Sequence, residues 1–320
     1  MNLAKPSESD TTPLDEAARA AWLYYVGGKT QDQIARELGI SRQRAQRLVS
    51  KAVAEGLISF RLEHGLSSCL ELEAALTRRF GLELCRVAPS LGAGVDPTRS
   101  IASVTAVALE RFLSASEPIV VALGTGRTLR AAVESLPAMD CAHHKLVSLN
   151  GNISPDGTAS HYDVIMRIAD KVHAPHYPMP LPVIAASARE RDMFHALEPI
   201  QRTMELARNA DVTFVGIGQM DEGAPLLKDG FLSEAEIASM QEAGAAGEIV
   251  GWIFDESGRY LDFGPNLRAA GVRVDVPTAN IVISTAAGAS KVTPLHAALK
   301  GRLINGLITD EPTARDLLDR

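Results

Sequence analysis

The chain has 320 residues, of which 46% are hydrophobic and 22% are charged, and its formal net charge is −7. These fractions are ordinary for a globular protein, which excludes disordered, collagen-like and coiled-coil classes for most of the chain. The length exceeds the size at which one hydrophobic core usually stops growing, so the sequence predicts two domains.

No segment has the character of a membrane anchor or a secretory signal. The longest apolar runs, such as 118–123 and 279–284, are far too short to span a bilayer. Residues 1–16 contain neither an apolar core nor a small-residue cleavage site. We therefore expect a cytoplasmic protein with no membrane partner.

The three cysteines, Cys69, Cys85 and Cys141, form no CxxC pair, and their odd number argues against a disulfide framework. We expect them to be reduced and buried as small apolar residues. A catalytic thiol at one of these positions is the alternative.

The negative charge of the chain is unevenly distributed. Residues 1–63 hold nine lysines and arginines against eight acidic residues, a net charge of +1, so the remainder carries −8. Within 41–54 there are four basic residues and no acidic one. A short basic segment on an acidic protein points to a localised nucleic-acid contact.

Three helices are predicted in this N-terminal part. The first has apolar residues at helical spacing from Ala18 to Val26 and stops at Gly27. The second begins at Thr30, where Gln33 completes a capping-box pattern, and ends at Gly39.

The third helix begins at the Ser41 cap and runs to about Glu55, and the alternating residues 57–62 predict a short strand or wing. Only Gly39 and Ile40 separate the second helix from this cap, a spacing typical of a winged helix-turn-helix. The third helix is then the recognition helix. The alternative is that its charges only solvate an exposed helix face.

Side chains of this module are predicted to contact DNA. Glutamine and arginine can reach base edges, and the remaining cations can reach phosphates. Arg42, Gln43 and Gln46 are expected to carry sequence preference, and Arg47 and Lys51 to bind phosphate. The full predicted set is Thr30, Gln31, Ser41, Arg42, Gln43, Arg44, Gln46, Arg47 and Lys51.

Ser67 and Ser68 are predicted as a hinge, which places domain boundaries at 1–65 and 66–320. An amphipathic helix from Cys69 to Phe80 follows, as a linker or part of an oligomer seam. From Glu83 onward, predicted strands alternate with helices. The strands are 82–88, 118–126, 145–151, 210–218, 248–255, 279–285 and 306–310, and the helices are 98–113, 126–136, 160–171, 233–243, 291–300 and a final one. This alternation predicts an α/β domain with a mainly parallel sheet covered on both faces.

Ligands of such sheets bind beyond the carboxyl ends of the strands. One of these ends, 124–128, runs into a helix with two glycines, hydroxyls and Arg127, which suits a phosphate or a polyhydroxylated ligand. The segment 124–128 matches neither of the two glycine-rich nucleotide-binding motifs, GxGxxG and GxxxxGK[ST]. The alternative is a simple turn that needs glycine.

Lys291 follows another glycine-rich strand end, where its ammonium could hold an anion or a sugar hydroxyl. A solvated helix start is the alternative for Lys291.

Seven motifs in this order resemble the SorC/DeoR type of sugar-binding bacterial transcriptional regulators. They are TQDQIARELGISRQRAQRLV, GTGRTL, LNG, ADVTFVGIG, GAAGEIVGWIFDESG, STAAGASK and GLITDEPTA. The resemblance extends from about Ala18 to the end of the chain, and its mixture of motifs is closest to polyol-catabolism regulators.

The resemblance implies an effector domain related in fold to sugar-phosphate isomerases and glucosamine-phosphate deaminases. It also implies a homotetramer on operator DNA that is released or rearranged when a sugar, polyol or sugar phosphate binds, with no cofactor. Symmetry alone predicts a homo-oligomer, either a dimer or a tetramer. The effector-binding residues carried over are Gly124, Gly126, Arg127, Thr128, Asn150, His161, Asp163, Glu248 and Lys291. The loop at 126–128 has fewer hydroxyls than in members that bind phosphorylated sugars, and Glu248 replaces a commoner aspartate. The phosphorylation state of the effector therefore stays open.

The sequence thus predicts a regulator of a carbohydrate or polyol catabolic operon, acting as a repressor or an activator. The alternative is a sugar-phosphate isomerase or deaminase with Glu248, Asp255 and His161 as acid and base candidates. The helix-turn-helix favours the regulator, because such an enzyme does not need one. A purely structural adaptor would leave the polar strand ends unexplained.

Overall fold

A computed structural model of the chain describes residues 12–58, 66–154, 156–158, 164–278 and 280–320. Contacts between Cα atoms divide the chain into two compact units, 1–63 and 64–320. No helix in the described ranges is long and apolar enough to cross a membrane.

The N-terminal unit contains the three predicted helices, α1 (Pro13–Tyr25), α2 (Gln31–Leu38) and α3 (Arg42–Ala54). Buried alanine and aliphatic side chains from all three helices form its core. The helix ends follow from local chemistry: Thr30 and Gln33 form the predicted capping box, and Gly39 ends α2 in the left-handed conformation. The Ser41 hydroxyl accepts from the Arg44 backbone N–H at 3.2 Å. Most of the predicted wing at 57–62 falls outside the described residues.

The C-terminal unit is an α/β fold. Its elements are α4 (Ser67–Phe80), β1 (Leu84–Ala88), α5 (Thr98–Leu113), β2 (Val120–Leu123), α6 (Arg127–Ser135), β3 (Lys145–Ser148), α7 (Ile165–Val172), β4 (His176–Tyr177), α8 (Ala188–His195), α9 (Glu198–Arg208), β5 (Val212–Val215), α10 (Pro225–Lys228), α11 (Glu234–Glu242), β6 (Ala245–Ile249), β7 (Trp252–Asp255), a 3₁₀ turn (Gly264–Arg268), β8 (Ile281–Thr285), α12 (Ala289–Lys300), β9 (Gly306–Asp310) and α13 (Glu311–Asp319).

Seven strands form one parallel sheet in the order β1-β9-β8-β5-β2-β3-β4. Side chains alternate between its two faces. Val121 and Leu123 belong to the hydrophobic cluster on one face, and Ala122 belongs to the cluster on the other. Both faces are therefore buried under helices, which confirms the predicted covered parallel sheet.

Two predictions about the elements are wrong. The run 248–255 is not one strand, because Val250 and Gly251 have positive φ angles and turn the chain between β6 and β7. These two strands make a separate antiparallel hairpin. Ser67 and Ser68 are not a hinge either: they lie in the first turn of α4, where the Ser68 hydroxyl donates to Glu311 Oε1 at 3.0 Å.

The three cysteines are free and buried, as predicted. Burial raises the pKa of the Cys85 thiol to about 12. A thiol with so high a pKa is a poor nucleophile at neutral pH.

Candidate functional site

A pocket lined by both polar and apolar residues lies at the carboxyl ends of four neighbouring strands of the large sheet. Gly124, Asn150, Gly216 and Thr285 follow or end β2, β3, β5 and β8 respectively, and all four line the pocket. Its volume is about 190 Å³. The pocket is therefore where the topology of a parallel sheet places a ligand.

The start of α6 forms one wall of this pocket. Gly126 is the residue at the N-cap position of α6, with a φ of 132°, a backbone conformation that residues other than glycine rarely adopt. Within the described residues, no side-chain hydrogen bond caps the start of this helix. The first backbone N–H groups of a helix lack partners within the helix and carry its partial positive charge. With Arg127 and Thr128 in the lining, this wall offers hydrogen-bond donors.

Two buried polar atoms in the pocket have no hydrogen-bond partner in the described part of the chain. They are Oδ1 of Asn150, whose residue is 4% exposed, and Oγ1 of Thr285, which is 1% exposed. A buried polar group without a partner costs about 1–3 kcal/mol. Such atoms in a pocket are what a ligand with hydroxyl groups would satisfy.

Four charged side chains line the pocket in the described ranges, and they include both predicted cations. Arg127 Nη2 lies 3.8 Å from Asp229 Oδ1. Lys291 Nζ donates to the Ile217 carbonyl at 2.7 Å and to Gln219 Oε1.

Glu248 is the fourth of these charged residues. Its Oε2 accepts from the Gly251 N–H at 2.8 Å. Burial raises the pKa of the Glu248 carboxyl, and the Gly251 hydrogen bond and the Lys291 charge oppose that rise. Burial lowers the pKa of Lys291, and the carboxylate of Glu248 opposes the shift. Each partner thus favours the ionised form of the other.

Glu248 is held in place by the edge of the β6–β7 hairpin. Its backbone exchanges two hydrogen bonds with Gly218, at 3.0 and 2.9 Å. A Cβ atom at position 218 would stand 2.2 Å from Glu248 Oε1. Glycine is required at position 218 so that the carboxylate can approach the backbone this closely.

Seven of the nine predicted effector residues therefore line one pocket: Gly124, Gly126, Arg127, Thr128, Asn150, Glu248 and Lys291. His161 and Asp163 lie outside the described residues. Asp255, a candidate acid of the enzyme alternative, instead accepts hydrogen bonds from Ser257 and Arg259 at the turn after β7. Sequence reasoning missed Thr285, although it ends a strand, and Asp229, which follows α10 and carries no motif.

The helix α3 carries six of the nine predicted DNA-binding residues, from Arg42 to Lys51. Ala45 and Val49 face the core, and the side chains of Gln43, Gln46 and Arg47 are exposed.

Four of the other predicted DNA-binding residues, Arg42, Arg44, Thr30 and Ser41, have partners within the unit. Arg42 lies 3.6 Å from Asp32, and Arg44 donates to Glu16 on α1 at 2.9 Å. Lys51 is half-buried, as is Gln31 on α2. The hydroxyls of Thr30 and Ser41 cap α2 and α3.

A helix-turn-helix unit together with an α/β unit whose pocket gathers polar and charged side chains defines a DNA-binding regulator with a ligand-binding domain. Profiles of known families agree with this class. The sugar-binding domain family matches residues 64–319, and the MarR family matches residues 12–64. The chain belongs to the SorC/DeoR-type family of sugar-binding transcriptional regulators.

Relatives and solved structures support the same conclusion. The chain is 33% identical over 302 residues to the erythritol catabolism regulatory protein EryD of Brucella abortus, covering 94% of this chain and 96% of that protein. It is 32% identical over 311 residues to the transcriptional regulator LsrR of an Enterobacter species, with 94% and 92% covered. The full-length sorbitol operon regulator SorC of Klebsiella pneumoniae has a similar fold, with a TM-score of 0.71, 26% identity, and 94% and 97% of the chains covered. The prediction of a transcriptional regulator rather than an enzyme is confirmed.

Proposed function

We propose that α3 binds operator DNA and that the pocket binds a sugar, polyol or sugar phosphate whose binding changes the affinity for the operator. The main support for effector binding in the pocket is that two buried polar atoms, Asn150 Oδ1 and Thr285 Oγ1, have no hydrogen-bond partner among the described residues. Polar atoms kept in a pocket at a cost in stability are typical of a binding site.

The operon is proposed to serve carbohydrate or polyol catabolism. EryD is named for erythritol catabolism and SorC for a sorbitol operon, and both of these compounds are polyols. The proposed effector contacts are Gly124, Gly126, Arg127, Thr128, Asn150, Glu248 and Lys291, together with His161 and Asp163 from the sequence.

On the DNA side, the exposed residues of α3 are proposed to divide between two roles. Arg42, Gln43 and Gln46 read base edges, and Arg47 and Lys51 bind phosphates. Thr30, Gln31, Ser41 and Arg44 support the same contact surface. Because operators read by such modules are paired half-sites, the regulator acts as a dimer or tetramer, and it acts in the cytoplasm, where the DNA lies.

Lys291→Ala tests this assignment of the pocket. Losing a charge-assisted hydrogen bond costs about 1.5–3 kcal/mol, so effector affinity should fall at least about tenfold. Operator binding should persist, because α3 belongs to the other unit. Effector binding is measured by calorimetry, and release from operator DNA by fluorescence anisotropy.

Lys300→Ala is the matched control, since Lys300 is an exposed cation in the last turn of the same helix. It should respond to the effector like the parent protein. A parental response from Lys291→Ala as well would show that the site is misplaced.

A further inference from the structure

We propose that the pocket selects an uncharged polyol or sugar and discriminates against its phosphate ester, with Asp229 and Glu248 as the residues that set this preference. This inference rests on the proposed function, because it assumes that the pocket is the effector site. It decides a point that the sequence left open.

The first observation is the balance of charge in the lining. Arg127 and Lys291 are matched by Asp229 and Glu248, and no other charged side chain of the described ranges lines the pocket. Lys291 and Glu248 contribute no net charge as a pair, whether both are ionised or the proton has passed from one to the other. An excess of positive charge favours binding of a phosphate monoester, which carries nearly two negative charges at neutral pH.

The second observation is that both cations already have partners. Arg127 lies beside the Asp229 carboxylate at 3.8 Å, and Lys291 donates to the Ile217 carbonyl and to Gln219. A phosphate would have to displace these acceptors or share the donors with them. It would also bring negative charge towards two carboxylates in a partly desolvated pocket, where repulsion is weakly screened.

The third observation is the kind of atom left without a partner. Asn150 Oδ1 is an acceptor, so it needs a donor from the ligand. Carbohydrate hydroxyls can donate to Asn150 Oδ1 or to a Glu248 oxygen, and they can accept from the backbone N–H groups at the start of α6. Ionised phosphate oxygens only accept, so a phosphate group at Asn150 would leave its Oδ1 unsatisfied, whereas a hydroxyl at the same place would satisfy it.

The start of α6 on its own would suit a phosphate as well as a hydroxyl. Here Asp229 stands beside Arg127, the first residue of that helix, and it offsets the positive potential there. The pocket is also small: its volume of about 190 Å³ lies below the roughly 300–1,000 Å³ typical of sites for drug-sized ligands. The favoured ligand is therefore small as well as neutral.

The test compares neutral compounds with their phosphate esters on the full chain. Erythritol, xylitol, sorbitol and fructose are each titrated calorimetrically beside the matching monophosphate. At least one neutral compound should bind, and its phosphate should bind at least about tenfold more weakly. Asp229→Asn removes one repulsive charge and should raise the affinity for the phosphate about tenfold relative to the affinity for its neutral parent compound.

Glu222→Gln is the matched control for Asp229→Asn. It removes one negative charge from an exposed residue of the same segment that does not line the pocket. It should change neither the affinity for the neutral compound nor the affinity for its phosphate.

A phosphate that binds more tightly than its parent compound would overturn the neutral-ligand inference and leave the proposed function standing. If no compound in the panel binds, or if Lys291→Ala binds them all like the parent, the proposed function and this inference both fail. An equal gain in phosphate binding from Glu222→Gln and Asp229→Asn would remove Asp229 from its role.

Discussion

Thr285 combines complete burial with an unsatisfied hydroxyl. The residue is 1% exposed and ends β8 at the pocket, and its Oγ1 has no partner among the described atoms. Thr309 on β9 is buried and unsatisfied in the same way, but it does not line the pocket. Comparing the two threonines therefore separates the cost in stability of a buried hydroxyl without a partner from a role of that hydroxyl in effector binding.

Replacing Thr285 with valine should stabilise the fold and weaken effector binding. Valine has nearly the same shape and removes a buried polar atom that costs about 1–3 kcal/mol, so the melting temperature should rise. The lost hydrogen bond should reduce effector affinity several-fold, as measured by calorimetry. Thr309→Val should give the same rise in melting temperature with unchanged affinity, and unchanged affinity in Thr285→Val would contradict the binding role.

His144 makes the fold sensitive to acid. It is fully buried: its Nδ1 accepts from the Ile119 N–H at 3.2 Å, and its Nε2 donates to the Leu113 carbonyl at 3.0 Å. This arrangement needs the neutral ring. Burial lowers the pKa of His144 below its ordinary value of 6.5, and the neighbouring His143 adds to the shift, although the Leu113 carbonyl opposes it.

Stability should therefore fall with pH below about 6.5. In that range the unfolded chain binds a proton that the folded protein resists, and one such proton contributes at most about 1.4 kcal/mol per pH unit. His144→Gln should flatten the pH dependence of the free energy of unfolding, measured by urea denaturation between pH 7.5 and 5.5. His143→Gln, at the exposed neighbour, should flatten the slope much less, because His143 is the smallest of the causes of the His144 pKa shift. A parental slope in His144→Gln would rule out this source.

Individual pocket residues could be predicted where they follow a strand. Arg127, Asn150 and Lys291 come directly after glycine-rich or buried strand ends, and the topology of a parallel sheet brings those ends together. Asp229 could not be found in this way, because it reaches the pocket from the segment after α10. Its role depends on tertiary packing alone.

At the scale of elements, α3 carries the proposed DNA contact. Its apolar side chains face α1 and α2, so its exposed face of glutamine and arginine is available in this unit. Arg44 donates a hydrogen bond to Glu16 at 2.9 Å, so part of its guanidinium is already paired within the unit. Among the described residues, the Arg47 guanidinium donates only to the Gln43 carbonyl of its own helix. Arg47 is accordingly the better candidate for a phosphate contact.

Arg47→Ala should weaken binding to all DNA sequences by a similar factor. Because one phosphate contact is lost, the slope of log affinity against log salt should fall by about one unit. Anisotropy titrations over a series of salt concentrations measure this slope. Arg19→Ala, which removes an exposed charge from α1 of the same unit, should keep the parental slope, and a parental slope in Arg47→Ala would remove Arg47 from the interface.

Helix boundaries were predictable where capping chemistry is local, and less so elsewhere. Thr30 and Ser41 begin α2 and α3 by capping them with their side chains, and Gly39 ends α2 because its backbone can adopt the left-handed conformation. The β6–β7 hairpin looked like one strand, because its turn at Val250 has a β-branched residue where a turn usually has glycine or asparagine. The helices α8 and α9 were not predicted; α8 buries none of its residues, so it lacks the periodic apolar signal of a packed helix.

At the scale of the whole molecule, we expect a dimer or tetramer. Cys69 and Leu76 of α4 are buried within their own unit, and Leu70 on the same helix stays 51% exposed. On α8 and just after it, Met193 and Leu197 are 62% and 53% exposed. Exposed apolar side chains of this size are available for contacts between copies.

Light scattering at micromolar concentration should give a mass at least twice that of the 34.2 kDa chain. The physical reason is that paired half-sites are read by symmetric assemblies. A strict monomer, both free and with an operator fragment present, would contradict this expectation.

The pocket is assembled from segments that lie far apart in sequence: the start of α6, Asn150 after β3, Glu248 on the hairpin and Lys291 on α12. An unfolded chain cannot gather them, so an effector at one hundred times its dissociation constant would add about 2.7 kcal/mol to the folded state. Cellular proteases act on the unfolded fraction. The supply of effector would thereby govern how long each copy of the regulator survives, and not only how tightly that copy holds its operator.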